Sequence, residues 1–173
     1  MVLSLFRKSV ATEHVYAVYS AIVAQSRQPR FYADWGVPDT VTGRFNMISV
    51  HMALLLRRLR DEPAAKNFVQ ALVDRFFKDM DQSHRELGVT DLGVPRQIRR
   101  LGNLFYGLAQ SLGEALDQNS TAAVEAVLVR NLYSAAPSAH AADLAAYVVN
   151  EAARLALEPT ASILAGSLDG AAA

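Results

Sequence analysis

The sequence predicts an all-α fold: a single-domain bundle of about six helices with two breaker-rich loops. Three observations predict it. Apolar residues recur at three- and four-residue steps along most of the chain, while strand-like alternation is scarce. Glycine, proline and aspartate gather in two segments, about 30–42 and 82–94, and the remaining connections are short, as between antiparallel helices. The chain has 173 residues, about half of them apolar, which fits one domain with a sizeable core.

Taken in order, the first helix spans about residues 11–28, with Val15, Val18, Tyr19, Ile22 and Val23 as its apolar positions, and ends before Pro29. The irregular segment 30–42 contains Asp34, Gly36, Pro38 and Asp39, with Gly43 just beyond it. Thr40 or Thr42 is placed to cap the second helix, about Arg44 to Arg60. That helix is apolar on nearly every side, so it is expected at the centre of the bundle. Pro63 opens a third helix to about Met80, with Phe68, Leu72 and Phe76 at helical spacing. After the second loop, a fourth helix follows Pro95 and carries the clearest amphipathic stripe: Ile98, Leu101, Phe105, Leu108, Leu112 and Leu116. Asn119 or Ser120 starts a fifth helix to about Tyr133, and Ser138 a sixth to about Leu157, which stops at Pro159. The folded domain is therefore expected over 11–158, between flexible ends at 1–10 and 159–173.

Several function classes find no support. There is no cysteine, hence no disulfide, thiolate metal site or thiol nucleophile. No glycine pattern fits a phosphate loop or dinucleotide fingerprint, and no Gly-x-Ser-x-Gly elbow is present. Catalysis is not expected and no cofactor is implied. The longest apolar stretch, Phe45 to Leu56, is too short to span a bilayer and closes on Arg57 and Arg58. The N-terminus lacks the pattern of a secretory signal. Net charge is zero, but residues 1–101 carry +5 and residues 102–173 carry −5. Such asymmetry serves a partner of the basic half or attraction between two faces of one fold.

Four clusters are candidates for chemistry or binding. Asp79, Asp81, His84, Glu86 and Asp91 could ligate a cation, but their spacing fits neither a calcium loop nor a zinc helix, and solvated helix-end charge explains them better. His51, in the most apolar helix, reads as a core histidine with one hydrogen bond or, more sharply, as a haem or quinone ligand. Arg57, Arg58 and Arg60 form one basic helix end and Arg96, Arg99 and Arg100 another, suited to nucleic acid, anionic lipid or an acidic peptide, or simply solvated. Phe31, Tyr32 and Trp35 concentrate aromatic area in a polar loop, where it either pins the loop or faces a partner.

Two long segments carry a resemblance. Tyr32-Ala33-Asp34-Trp35-Gly36-Val37-Pro38-Asp39, continuing through Phe45 and on to His51–Leu59, is one. Phe76–Pro95, with Phe105-Tyr106-Gly107, is the other. Together they resemble the signatures of the ubiquinol–cytochrome c chaperone family, over about residues 15–155. Thr90 stands where a glycine is expected, and Leu108 where a basic residue is common.

The resemblance implies an assembly chaperone for the ubiquinol–cytochrome c reductase (cytochrome bc1) complex. Its client would be newly made cytochrome b, or a related membrane protein, met near the ribosome. A second assembly factor is a further implied partner. The short N-terminus fits a bacterial-type member, cytoplasmic or peripheral at the cytoplasmic face of the inner membrane. Tyr32, Trp35, Val37, Pro38, Arg44, Arg57, Arg58, Arg96, Arg99 and Arg100 are the expected client-binding residues. Two alternatives stand beside this reading: a haem- or quinone-binding bundle using His51, and a ribosome or nucleic-acid contact module.

Overall fold

In the computed structural model, residues 2–86, 94–133 and 139–168 are described. They form eight α-helices: α1 (Val2–Ser26), α2 (Pro29–Ala33), α3 (Val41–Leu59), α4 (Lys66–Glu86), α5 (Val94–Asp117), α6 (Thr121–Leu132), α7 (Ala141–Leu157) and α8 (Thr160–Leu164). A single 3-10 turn, Pro63–Ala65, leads into α4. No strand occurs among the described residues, so the fold is all-α, as the periodicity predicts.

Helix α3 is the hub. It packs against α1, α5, α6 and α7, while the pairs α1–α4, α4–α5, α5–α6 and α6–α7 follow one another around it. Every residue from Met47 to Leu55 is buried, which explains why no polar face is legible in that stretch. Fully burying a Leu, Ile, Val or Met side chain contributes about 1.5–3 kcal/mol, so this one helix is a large share of the core. The amphipathic stripe of α5 supplies the facing layer: Leu101, Phe105, Leu108 and Leu112 are buried, and Phe105 meets Phe76 of α4 at 5.1 Å between ring centroids.

Local chemistry sets the helix starts. Thr40 caps α3, its Oγ1 accepting from the Gly43 amide at 3.1 Å. Ser120 caps α6 in the same way through Ala123 at 3.2 Å. Between α5 and α6, Asn119 adopts a positive φ of 52°, a conformation that asparagine tolerates better than most residues. Gly43 has a steric duty: a Cβ there would collide with the Pro38 carbonyl oxygen.

The elements differ from expectation in four places. Helix α1 begins at Val2 instead of about residue 11. Pro29–Ala33 of the first irregular segment is helical, because Pro29 sits at a helix start where its missing N–H costs nothing. Helix α4 continues to Glu86. Within the segment expected as a flexible tail, residues 160–164 form α8, which docks with Ile163 fully buried, and the Leu164 carbonyl lies 3.0 Å from His14 Nδ1 on α1. The small residues there gave no periodic signal for this. Residues 87–93 of the second loop and Ser138 lie outside the described residues.

Candidate functional site

The loop from α2 to α3 separates two environments. On its inner side Phe31 is fully buried and packs on Trp35 at 5.5 Å, Tyr147 at 5.0 Å and His51 at 5.7 Å. The Arg30 guanidinium lies within 5.6 Å of the Phe31, Trp35 and Tyr147 ring centroids, a cation–π arrangement. Backbone bonds fix the loop: Val37 N–H donates to Phe31 O at 2.9 Å and Trp35 N–H to Arg30 O at 2.9 Å. The Tyr133 hydroxyl donates to Trp35 O at 2.8 Å. The loop aromatics therefore do the pinning, and Val37, at 2% exposure, is a core residue with no surface to offer a client.

His51 is the polar centre of this knot. Its Nδ1 lies 2.8 Å from Met47 O and its Nε2 2.7 Å from the Tyr147 hydroxyl. Gln25 in turn donates to that hydroxyl at 2.8 Å. With Nδ1 protonated, Nε2 accepts from the Tyr147 O–H and every group is satisfied. Burial holds the imidazole below its ordinary pKa and pushes the Tyr147 phenol up to about 12, because both charged forms would be poorly solvated. Neither ring nitrogen is free for iron in this arrangement. The space beside His51, bounded by Gln25, Leu55, Glu151 and Leu168, is only about 20 Å³, which suits a water and not a haem or quinone.

The outer side is open. A groove of about 360 Å³ runs between the C-terminal end of α1, the start of α3, the end of α4 and the first turns of α5. Phe45, Ile48, Met80 and Leu101 form its floor, Val41 its lip, and Arg27 and Arg44 its basic rim, with Glu86 at the α4 end. Val41, the first residue of α3, is 54% exposed. Arg27 and Arg44 also border an adjoining cleft of about 550 Å³ with Pro29, Tyr32, Ala33 and Asp39. Arg44 pairs with Asp39 at 2.7 Å, and that hydrogen bond holds the Asp39 carboxyl below its usual pKa. The half-buried Tyr32 donates to Ser26 O at 2.8 Å, and burial raises its phenol.

The expected client-binding residues thus part company. Tyr32 and Arg44 border the clefts, and Pro38 is exposed on the loop between them. Arg96, Arg99 and Arg100 are exposed on the first turns of α5, whose Gln97 and Leu101 line the groove. Arg57 and Arg58 do internal work instead. Arg57 bonds Asp117 at 2.6 Å. Arg58 donates to Leu155 O, Glu158 O, Glu62 and Thr160 at 2.8–3.1 Å, capping the end of α7 and clasping α8. The bonds from Thr160 and Arg58 lower the Glu62 pKa. In sequence such arginines look like any basic helix end; apart from Glu62, four residues on from Arg58, their acceptors come from the tertiary arrangement.

The acidic cluster is likewise divided. Asp79 accepts from Tyr19 at 2.9 Å, Asp81 from Arg85 at 2.8 Å and Glu86 from Gln82 at 3.0 Å. No group of three potential ligands converges on a metal position among the described residues. Sequence reasoning missed Arg27, Val41, Phe45, Ile48 and Met80 as groove residues, because four helices must meet before a groove exists. In the sequence Val41 falls before the expected helix start at about Arg44, so its exposed place at the first position of α3 is visible only in the fold.

Fold and groove together define a helical bundle with one pinned loop and one open, apolar-floored, basic-rimmed end. The chain belongs to the ubiquinol–cytochrome c chaperone family, whose model matches residues 33–171. It is similar to the crystal structure of the Cbp3 homologue from Brucella abortus, with a TM-score of 0.87 and 44% identity, covering 97% of this chain and 95% of that one. It is also 22% identical, over 116 residues, to the ubiquinol–cytochrome-c reductase complex assembly factor 1 of Xenopus laevis. That match takes in 66% of this chain and 58% of the frog protein's length. No helix among the described residues is long and apolar enough to cross a membrane.

Proposed function

We propose that this protein is an assembly chaperone for the ubiquinol–cytochrome c reductase complex and that it holds newly made cytochrome b through the groove between α1, α3, α4 and α5. The observation that carries the reading is the groove itself. Part of its floor and rim comes from the segments that bear the family resemblance: Val41, Arg44 and Phe45 from the first, Met80 from the second. An apolar floor takes the apolar face of a client helix, and the Arg27–Arg44 rim takes the anionic or carbonyl end of that segment. Capture of this kind needs shape and exposed apolar area, and no bond-making chemistry. Family membership and the likeness to the Cbp3 homologue support the reading. A peripheral position at the membrane surface, close to the ribosome, suits a client of this kind.

The test is cross-linking in cells followed by affinity capture and mass spectrometry, comparing wild type with Val41→Asp. An acid at the first position of α3 favours the helix dipole, so the fold is retained while a charge enters the groove mouth. Cytochrome b enriched by wild type and lost with Val41→Asp is the expected result. Equal enrichment by both would move the client site elsewhere. Enrichment of other complex subunits without cytochrome b would leave the chaperone class and replace the client.

A further inference from the structure

The outer face of α5 carries a stripe that the groove does not use. Arg100, Asn103, Gly107, Ser111 and Glu114 follow one another at steps of three and four residues, so they share one face of the helix. All are exposed except Ser111, which is half-buried. The order is symmetric about Gly107: Asn103 and Ser111 lie four residues to either side, Arg100 and Glu114 seven. One half of the stripe is basic and the other acidic, and Arg100 forms no ion pair among the described residues.

Gly107 is unexplained by the chain's own packing. A Cβ there would meet nothing within 4 Å, and glycine weakens a helix interior relative to alanine. It does permit close approach of a second backbone, since the separation of two helices is set by the side chains at their crossing. The adjacent Leu104 and Tyr106 are 45% and 56% exposed and add apolar area beside the stripe.

We propose that this face docks a second copy of the same chain, with the two α5 helices antiparallel and crossing at Gly107. A two-fold axis there sets Arg100 of each copy against Glu114 of the other, and Asn103 against Ser111. The self-complementarity is what an isologous interface requires. The wider charge pattern agrees. The switch from the +5 half to the −5 half falls within α5, after Leu101, so an antiparallel pairing brings unlike halves together. A net charge of zero leaves no long-range repulsion between copies. The interface lies outside the groove floor, which is formed by the buried side of α5 through Leu101, and does not depend on the client reading.

Sedimentation velocity of the purified full chain over a concentration series, with circular dichroism as the fold control, tests this. A monomer–dimer equilibrium is expected, weakened about tenfold or more by Arg100→Glu and by Glu114→Arg, since each change turns two attractions into two repulsions. An equimolar mixture of the two variants should regain dimer, because both contacts then pair opposite charges. Gly107→Leu should give monomer with helicity retained. A monomer at all concentrations, a dimer indifferent to these substitutions, or failure of the mixture to associate would overturn the proposal.

Discussion

The knot around His51 and the groove beneath Val41 share one stretch of chain, from α2 into α3, yet they are opposites. In the knot, Phe31 and Tyr147 each pack against Trp35 and His51, and both ring nitrogens of His51 are paired. A few residues on, Val41 and Arg44 border open space. The contrast shows how a helical bundle keeps an apolar opening without collapsing into it. The loop is nailed on its inner side by aromatic packing and on its outer side by the Thr40 cap, so the lip of the groove cannot close. Rigidity on one side holds accessibility on the other.

That comparison can be broken from the knot side first. His51→Ala removes a buried ring and leaves the Tyr147 O–H proton without its acceptor, and should cost about 3–4 kcal/mol in urea unfolding. Gly43→Ala drives a methyl group into the Pro38 carbonyl and should cost about 2–3 kcal/mol, with loss of the α3 cap. Tyr147→Phe leaves His51 Nε2 and Gln25 without their shared partner, for about 1–3 kcal/mol. Val41→Asp, on the groove side, should lie within about 0.5 kcal/mol of wild type. A large loss from Val41→Asp, or none from His51→Ala, would erase the distinction between the two regions.

Acidity sharpens the same contrast. The folded protein holds His51 below its ordinary value of 6.5 through burial. Below that value the unfolded chain binds a proton that the folded chain refuses, so stability is full above about pH 6.5 and falls as pH drops toward the depressed folded value. The Tyr147 hydroxyl, Glu151, Arg30 and Arg154 surround the ring. A pH series of urea midpoints should show this decline in wild type and lose its part near neutrality in His51→Gln.

Much of the fold was legible in the sequence, since periodicity reports burial directly: the buried run of α3, the stripe of α5, and the Thr40 and Ser120 caps are all local signals. The groove was legible only in part. Arg44, expected at the client surface, does border the groove. Val37, however, looks like a loop residue until Phe31 O fixes its backbone inward, and Arg57 and Arg58 look like free cations until Asp117 and the α7 carbonyls arrive from about 60 and 100 residues away. Pattern within a helix is written locally; partners between helices are not.

The contact between His14 and Leu164 joins residues 150 positions apart. Residue 14 is made well before residue 164, so this contact waits for the 150 positions between them. At synthesis rates of roughly 5–20 residues per second, that is a wait on the order of ten seconds. The clasp between α1 and α8 closes only after the residues between them are made, so a partly made copy cannot present the finished fold.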